Sequence, residues 1–162
     1  MDAAIAIEMH IEIAETMNDS KDFDVKLFHG ALDMLGKVTL EDHFATPATL
    51  GDSQVFGAHV WSELGPRLID FQDKRLRLMD ASGVELMIVS LNAPAVQAIH
   101  DVAQAVATAR AANDLLAEEV RKRPDRFAGL AALPMQDPEA AANELERCVR
   151  DFGFKGDRKS VV

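Results

Sequence analysis

The chain has 162 residues and a formal net charge of −10 at pH 7, with 48% hydrophobic and 27% charged residues. That length is enough for one domain with a hydrophobic core, and the composition is that of a soluble globular protein. Because the excess of carboxylates would repel nucleic acid and anionic membranes, we expect neither as a partner. The single cysteine excludes an internal disulfide, and the acidic N-terminus does not resemble a secretory signal, so we expect a cytoplasmic protein.

The first 33 residues differ from the rest of the chain. Isoleucine and methionine alternate with other residues over Ile5–Ile13, a period-2 pattern that favours a strand. Glu8 and His10 lie in the middle of this pattern, where we expect solvated side chains. A more coherent unit begins at Met34, so we interpret residues 1–33 as an N-terminal extension and leave open whether they are translated.

A candidate metal site follows this extension. The pattern predicts a short strand over Lys37–Glu41, in which Val38 and Leu40 alternate with polar residues. Continuing that alternation puts Glu41 and His43 on one face at the carboxyl end of the strand. A carboxylate and an imidazole both ligate zinc-like ions, so the pair is a candidate half of a metal site. On the pattern alone, an ordinary solvated Glu and His remains the alternative.

The remaining elements alternate between helix and strand. The pattern predicts an irregular stretch over 48–66, helices over 68–81, 101–123 and 137–152, and strands over 84–91 and 127–133 with a further strand starting at 154. Repeated strand–helix units imply a parallel sheet, either a barrel or a doubly wound sheet. No Gly-x-Gly-x-x-Gly follows a strand, whereas reactive groups at a strand's carboxyl end suit a barrel. A complete barrel takes about 250 residues, so we expect residues 34–156 to be the N-terminal half of a TIM (β/α)8 barrel, truncated.

Three other reactive side chains have less specific patterns. Cys148 falls on the apolar stripe of the last predicted helix, which favours a core position over a nucleophile. His59 and His100 do not end a predicted strand, so we do not expect them to be metal ligands.

Several segments in the right order resemble a known family. The segments are MLGKVTLEDHFATP, SLNAPAVQAI, AANDLLAEEVRKRPDRF, LPMQDPEAAANELERCV and FGFKG. They resemble the amidohydrolase-related, metal-dependent decarboxylases, and most of all the γ-resorcylate (2,6-dihydroxybenzoate) and 2,3-dihydroxybenzoate decarboxylases. The resemblance covers nearly everything from Met34 to Gly156.

The resemblance implies a TIM barrel, found in homo-oligomers, that removes CO2 from a small aromatic carboxylate without oxidation. It implies that Glu41 and His43 are ligands of a divalent metal, zinc or manganese, and that Ser53 and Phe56 lie near the substrate. The family's other ligands, a His and an Asp thought to act as the acid, belong to later strands. We therefore expect no catalytic acid in this chain and no activity from it alone. Hydrolytic members tend to carry His-x-His here, so the Glu favours a benzoate decarboxylase.

The last six residues, DRKSVV, leave the family pattern. The codons GAT CGG AAG AGC GTC GTG encode them and match the start of a common sequencing adapter, so we expect residues 157–162 to be a non-native tail. A genuine short basic C-terminus is the alternative. For function, two alternatives to the decarboxylase remain open: a metal-dependent hydrolase or lactonase of the same superfamily, and a non-catalytic half-barrel interaction protein.

Overall fold

The structure, a computed structural model, describes residues 36–52 and 58–158. The described elements alternate between strand and helix. They are β1 (Lys37–Phe44), α1 (Ala58–Ile69), α2 (Lys74–Ser82), β2 (Val84–Leu91), a 3-10 turn (Ala95–Ala98), α3 (Val102–Lys122), β3 (Phe127–Gly129) and α4 (Pro138–Phe152).

The strands form a parallel sheet in the order β1-β2-β3. A further strand starts beside β3, where Ala131 and Asp157 form a parallel bridge and the Lys155 N–H donates to the Gly129 carbonyl at 3.0 Å. The carboxyl ends of all these strands therefore share one edge of the sheet. The predicted α/β architecture of consecutive parallel βα units is confirmed.

Helices α3 and α4 begin and end where their capping residues predict. The Asp101 carboxylate accepts a hydrogen bond from the Gln104 N–H, and Asp137 accepts from Glu139 and Ala140. Helix α4 ends at Gly153, whose φ of 70° is a left-handed conformation that glycine adopts without strain. These caps orient two helices of the layer that covers the sheet.

The segment between β1 and β2 differs from the prediction. Helix α1 already begins at Ala58, inside the stretch predicted to be irregular, although Pro66 lies within it. The chain then breaks before α2, because the Asp70 carboxylate accepts hydrogen bonds from the backbone N–H groups of Asp73 and Arg75. A single helix over 68–81 is therefore wrong.

Two strand boundaries also differ from the prediction. Strand β1 runs three residues beyond Glu41, and β3 ends at Gly129 instead of residue 133. Glu41 and His43 consequently lie within β1 and not in the loop after it. His43 pairs with β2, whereas Glu41 lies at an irregularity of the register between Thr39 and Asp42.

The hydrophobic core lies next to the carboxyl half of β1. The ring of Phe71 contacts those of Phe44 and Phe127, each at a centroid distance of 5.7 Å. In contrast, Val38 and Leu40 in the amino half of β1 are 52% and 62% exposed. The end of β1 that carries the candidate site is thus the well-packed end. Within 36–52 and 58–158, no helix has the length and apolarity needed to cross a membrane.

Candidate metal centre

His43 is positioned by strand pairing. Parallel pairing of β1 with β2 places His43 opposite Ser90. The Ser90 hydroxyl, on a residue only 3% exposed, lies 3.1 Å from His43 Nδ1. One ring nitrogen of His43 is therefore held by the neighbouring strand, and the other is directed away from it.

The second ring nitrogen of His43 and the Glu41 carboxylate converge on one cation. Arg158 Nη1 lies 2.9 Å from His43 Nε2, and Arg158 Nη2 lies 3.4 Å from Glu41 Oε1. A single guanidinium touches both side chains, so the two donors face the same small volume. This is the arrangement that spacing along β1 predicts for the pair.

These contacts determine the protonation of His43. A guanidinium can only donate hydrogen bonds, so His43 Nε2 carries the lone pair and Nδ1–H donates to the Ser90 hydroxyl. Burial lowers the pKa of His43, and the Arg158 charge lowers it further, against smaller opposing contributions from a hydrogen bond to the Ser90 backbone and from the charges of Asp42 and Glu41. The imidazole is thus held neutral, the form that ligates metal ions, with its Nε2 lone pair occupied by Arg158 in this chain.

Buried Arg75 fixes the backbone at the end of β1. Its guanidinium donates to the carbonyl oxygens of His43 (2.8 Å), Arg67 (2.9 Å) and Asp70 (2.9 Å). It also lies over the Phe71 ring, 5.0 Å from the centroid. Because α2 supplies this side chain, the second helix and the candidate site are structurally coupled.

The loop after β1 is tied to the end of β2. The Asn92 N–H donates to the Phe44 carbonyl at 2.8 Å, and Asn92 Nδ2 donates to the Thr49 carbonyl at 2.9 Å. This loop leads toward Ser53 and Phe56, the predicted substrate contacts. Both lie outside the described residues, so their placement stays a prediction.

The loops after β2 and β3 are joined in the same way. Gln136 Nε2 donates to the carbonyl oxygens of Val96 (2.6 Å) and Ile99 (2.8 Å), and Gln97 Nε2 donates to that of Leu133 (3.3 Å). The carboxyl edge of the sheet is therefore bordered by loops that are linked to each other.

The donor chemistry of the pair fits a divalent ion, but the described residues supply only two donors. A carboxylate oxygen and an imidazole nitrogen suit zinc or manganese, and a catalytic site needs at least three protein ligands. Among the described residues, no three or more His, Cys, Asp or Glu side chains are grouped so that they could hold a metal ion. His59 and His100 are exposed. Glu8 and His10 lie outside the described residues.

Sequence reasoning missed two side chains that contact the pair. Ser90 is a polar residue near the end of the apolar run VELMIVSL, and that position is the one signal that could have found it. Arg158 is 115 residues from His43 along the chain, and no local pattern connects them. Cys148, in contrast, is fully buried in the core as predicted, and burial raises the pKa of its thiol to about 12.

Comparisons with known proteins show which proteins the chain is similar to. The sequence model of the Amidohydrolase family matches residues 28–161. The γ-resorcylate decarboxylase of Rhizobium sp. (strain MTP-10005) is 63% identical over 124 residues, which are 76% of this chain and 38% of that protein. The chain therefore spans well under half the length of the curated relatives that it matches.

Solved structures give the same result. A 2,6-dihydroxybenzoate decarboxylase in complex with 2,6-dihydroxybenzoate superposes with a TM-score of 0.74 at 63% identity, covering 75% of this chain and 38% of that one. The dihydroxybenzoic acid decarboxylase of Polaromonas sp. JS666, with bound manganese and the inhibitor 2-nitroresorcinol, gives 0.74 at 63% identity, covering 75% and 37%. These neighbours are amidohydrolase-type barrels, so the predicted barrel fold and the resemblance to γ-resorcylate decarboxylases are both confirmed. Because the family model matches residues 28–161, well over half of the chain, the chain belongs to the amidohydrolase family.

Proposed function

We propose that this chain is part of a metal-dependent decarboxylase that removes CO2 from an ortho-hydroxybenzoate such as 2,6-dihydroxybenzoate. The observation that carries the proposal is that the side chains of Glu41 and His43 lie within reach of one cation at the carboxyl edge of the sheet; in this chain that cation is Arg158, a residue of the tail that the complete protein would lack. The 63% identity to a γ-resorcylate decarboxylase supports the choice of substrate class.

Glu41 and His43 would hold the metal through a carboxylate oxygen and through Nε2. A bound divalent ion would hold the substrate's carboxylate and ortho-hydroxyl and offset the net charge of −10. Manganese in the Polaromonas decarboxylase supports a divalent ion, and we propose manganese or zinc for this protein. Ser53 and Phe56 are proposed to contact the substrate, and the acid that protonates the ring carbon is proposed to lie on a later strand.

The organisation of the chain follows the same proposal. Residues 1–33 would be an N-terminal extension, residues 34–156 the first βα units of the barrel, and residues 157–162 a non-native tail. The complete protein would be a cytoplasmic homo-oligomer that binds neither nucleic acid nor membranes.

A product assay on the complete protein tests the proposed reaction. The gene is read through the codon for Gly156, and the encoded protein is loaded with manganese and given 2,6- or 2,3-dihydroxybenzoate. We expect CO2 and the corresponding dihydroxybenzene. A ring-opened acid from a lactone substrate, without CO2 from either benzoate, would instead favour the hydrolase or lactonase that the family also contains.

The 162-residue chain alone is predicted to be inactive, because its described residues supply two of the three or more ligands that a catalytic metal needs. The measurement is CO2 release from 2,6-dihydroxybenzoate by the purified chain with saturating manganese or zinc. Turnover above the metal-only blank would contradict the prediction.

A further inference from the structure

We propose that Ser90 is a positioning residue that acts through His43 and keeps its Nε2 lone pair directed at the metal position. This inference rests on the proposed function, because it assumes that Glu41 and His43 are the metal ligands. It adds a residue from the second strand to a site that sequence reasoning places on the first strand alone.

The register of the two strands places Ser90 and His43 in contact. Ser90 is the direct partner of His43 in the parallel β1–β2 ladder, so the two side chains lie beside each other by backbone geometry. The Oγ–Nδ1 distance is 3.1 Å, and Ser90 is 3% exposed. A buried hydroxyl without a partner costs free energy, so this hydrogen bond is retained.

The direction of the hydrogen bond follows from the other side of the ring. In this chain Nε2 faces the guanidinium of Arg158 and accepts from it, so Nδ1 carries the proton that Ser90 Oγ accepts. In the complete protein, a metal ion at Nε2 would leave the proton on Nδ1 in the same way. Histidines that bind metals depend on a hydrogen bond at the second nitrogen to fix the tautomer and the ring orientation. Carboxylates, carbonyls and waters are the usual acceptors for that bond. Here a serine hydroxyl takes that position.

Two other contacts hold the arrangement in place. The His43 carbonyl accepts a hydrogen bond from Arg75. Two residues after Ser90, the Asn92 N–H donates to the Phe44 carbonyl. The backbones of both strands are thus fixed on the carboxyl-terminal side of the Ser90–His43 contact. Rotation of the imidazole is the remaining freedom, and the hydroxyl restricts it.

The test uses the full 162-residue chain with 15N-labelled histidine, in which the Arg158 guanidinium keeps Nε2 unprotonated and the proton on Nδ1. Proton–nitrogen spectra at mildly alkaline pH report the His43 Nδ1–H signal, and its loss in His43→Gln assigns it. With Ser90 present, we expect this proton to be protected from exchange with water. In Ser90→Ala, we expect its exchange to become about fivefold faster, the factor that one ordinary hydrogen bond sustains.

Manganese binding, followed by the electron paramagnetic resonance of the free ion, gives a second readout on the same chains. We expect Ser90→Ala to weaken binding about tenfold. Ser90→Thr, which keeps a hydroxyl, should restore both readouts, and Ser62→Ala on the exposed surface of α1 should change neither. If Ser90→Ala does not fold, Ser90→Cys keeps the size of the side chain with a weakly accepting sulfur and is expected to show the same shifts.

A Glu41→Gln variant separates the two possible failures. If Glu41→Gln weakens manganese binding and Ser90→Ala changes neither readout, the role of Ser90 is overturned and the proposed ligand pair stands. If Glu41→Gln also leaves manganese binding unchanged, the ligand pair fails and the inference fails with it.

Discussion

At the scale of single residues, Arg158 lies where we propose that the metal ion binds. Its two terminal nitrogens contact His43 and Glu41, the same atoms that we propose as metal ligands. A fixed positive charge at this position opposes a divalent cation by direct repulsion and by occupying both donors. Arg158 and a metal ion therefore compete for one place in this chain.

Removal of that guanidinium should strengthen metal binding. We predict that Arg158→Gln raises the affinity of the chain for manganese about fivefold to tenfold, since a partly exposed ion pair and a charge-assisted hydrogen bond no longer compete. The measurement is a manganese titration followed by paramagnetic resonance. Lys155→Gln is the matched control, because Lys155 is exposed and its loss changes the net charge equally. Equal affinities for the two variants would show that only net charge matters.

At the scale of elements, Arg75 links α2 to the end of β1 by three hydrogen bonds to backbone carbonyls. Arg75→Met should lower the free energy of unfolding by about 2–4 kcal/mol, because three acceptors lose a charged donor. Urea unfolding measures the change. Arg77→Met is the control on the same helix; its partner Asp73 and Arg77 itself are more than two-thirds exposed, so we expect about 0.5 kcal/mol or less. Similar losses for both variants would contradict the role given to Arg75.

A second element-scale link joins α3, α4 and the segment after β3. Asn113 Nδ2 donates to Glu144 Oε1 at 2.8 Å and to the Ala132 carbonyl at 2.9 Å, while Asn113 Oδ1 accepts from the Ala132 N–H at 2.8 Å. Glu144, 4% exposed, also accepts from Arg147 at 2.6 Å. Burial alone would raise the pKa of Glu144, but hydrogen bonds from Arg147 and Asn113 outweigh it, and the pKa lies below its usual value.

The lowered pKa of Glu144 gives a pH dependence with a definite sign. The stabilisation that the Glu144 carboxylate provides is complete above the unfolded pKa of about 4.3 and is lost as pH falls through the lower folded value. We predict that Glu144→Gln costs about 2 kcal/mol at neutral pH. The difference from the unsubstituted chain should shrink below about pH 4.

Urea unfolding at several pH values provides the measurement. Glu146→Gln, which alters an exposed pair with Arg150 on the same helix, should cost about 0.5 kcal/mol or less. A cost for Glu144→Gln that is the same at neutral and acid pH would rule out this explanation.

At the scale of the whole molecule, the sequence was sufficient to predict the features that depend on periodicity and on short spacing along the chain. The alternation along β1 placed Glu41 and His43 on one face, and the caps at Asp101, Asp137 and Gly153 located the two long helices. Strand register and long-range contacts were not predictable in this way. Ser90 meets His43 across 47 residues and Arg158 meets it across 115, so only the folded sheet brings them together.

The break between α1 and α2 was missed for a related reason. The carboxylate of Asp70 binds backbone N–H groups three and five residues later, which competes with helix continuation. Pro66 and the neighbouring glycine favoured a loop where α1 has a helix. Leu68 is only 6% exposed, which indicates that tertiary packing stabilises helix α1 despite these residues.

The central proposal for the complete protein is that Glu41 holds a metal ion on which decarboxylation depends. The most direct measurement is metal content together with CO2 release from 2,6-dihydroxybenzoate by the complete protein and its Glu41→Gln variant, with Glu85→Gln, an exposed glutamate on β2, as the control. We predict that Glu41→Gln loses bound metal and slows CO2 release at least about a hundredfold, because one metal ligand is removed. Glu85→Gln should retain both the metal and the rate of CO2 release. A Glu41→Gln protein that keeps its metal and its rate would contradict the account.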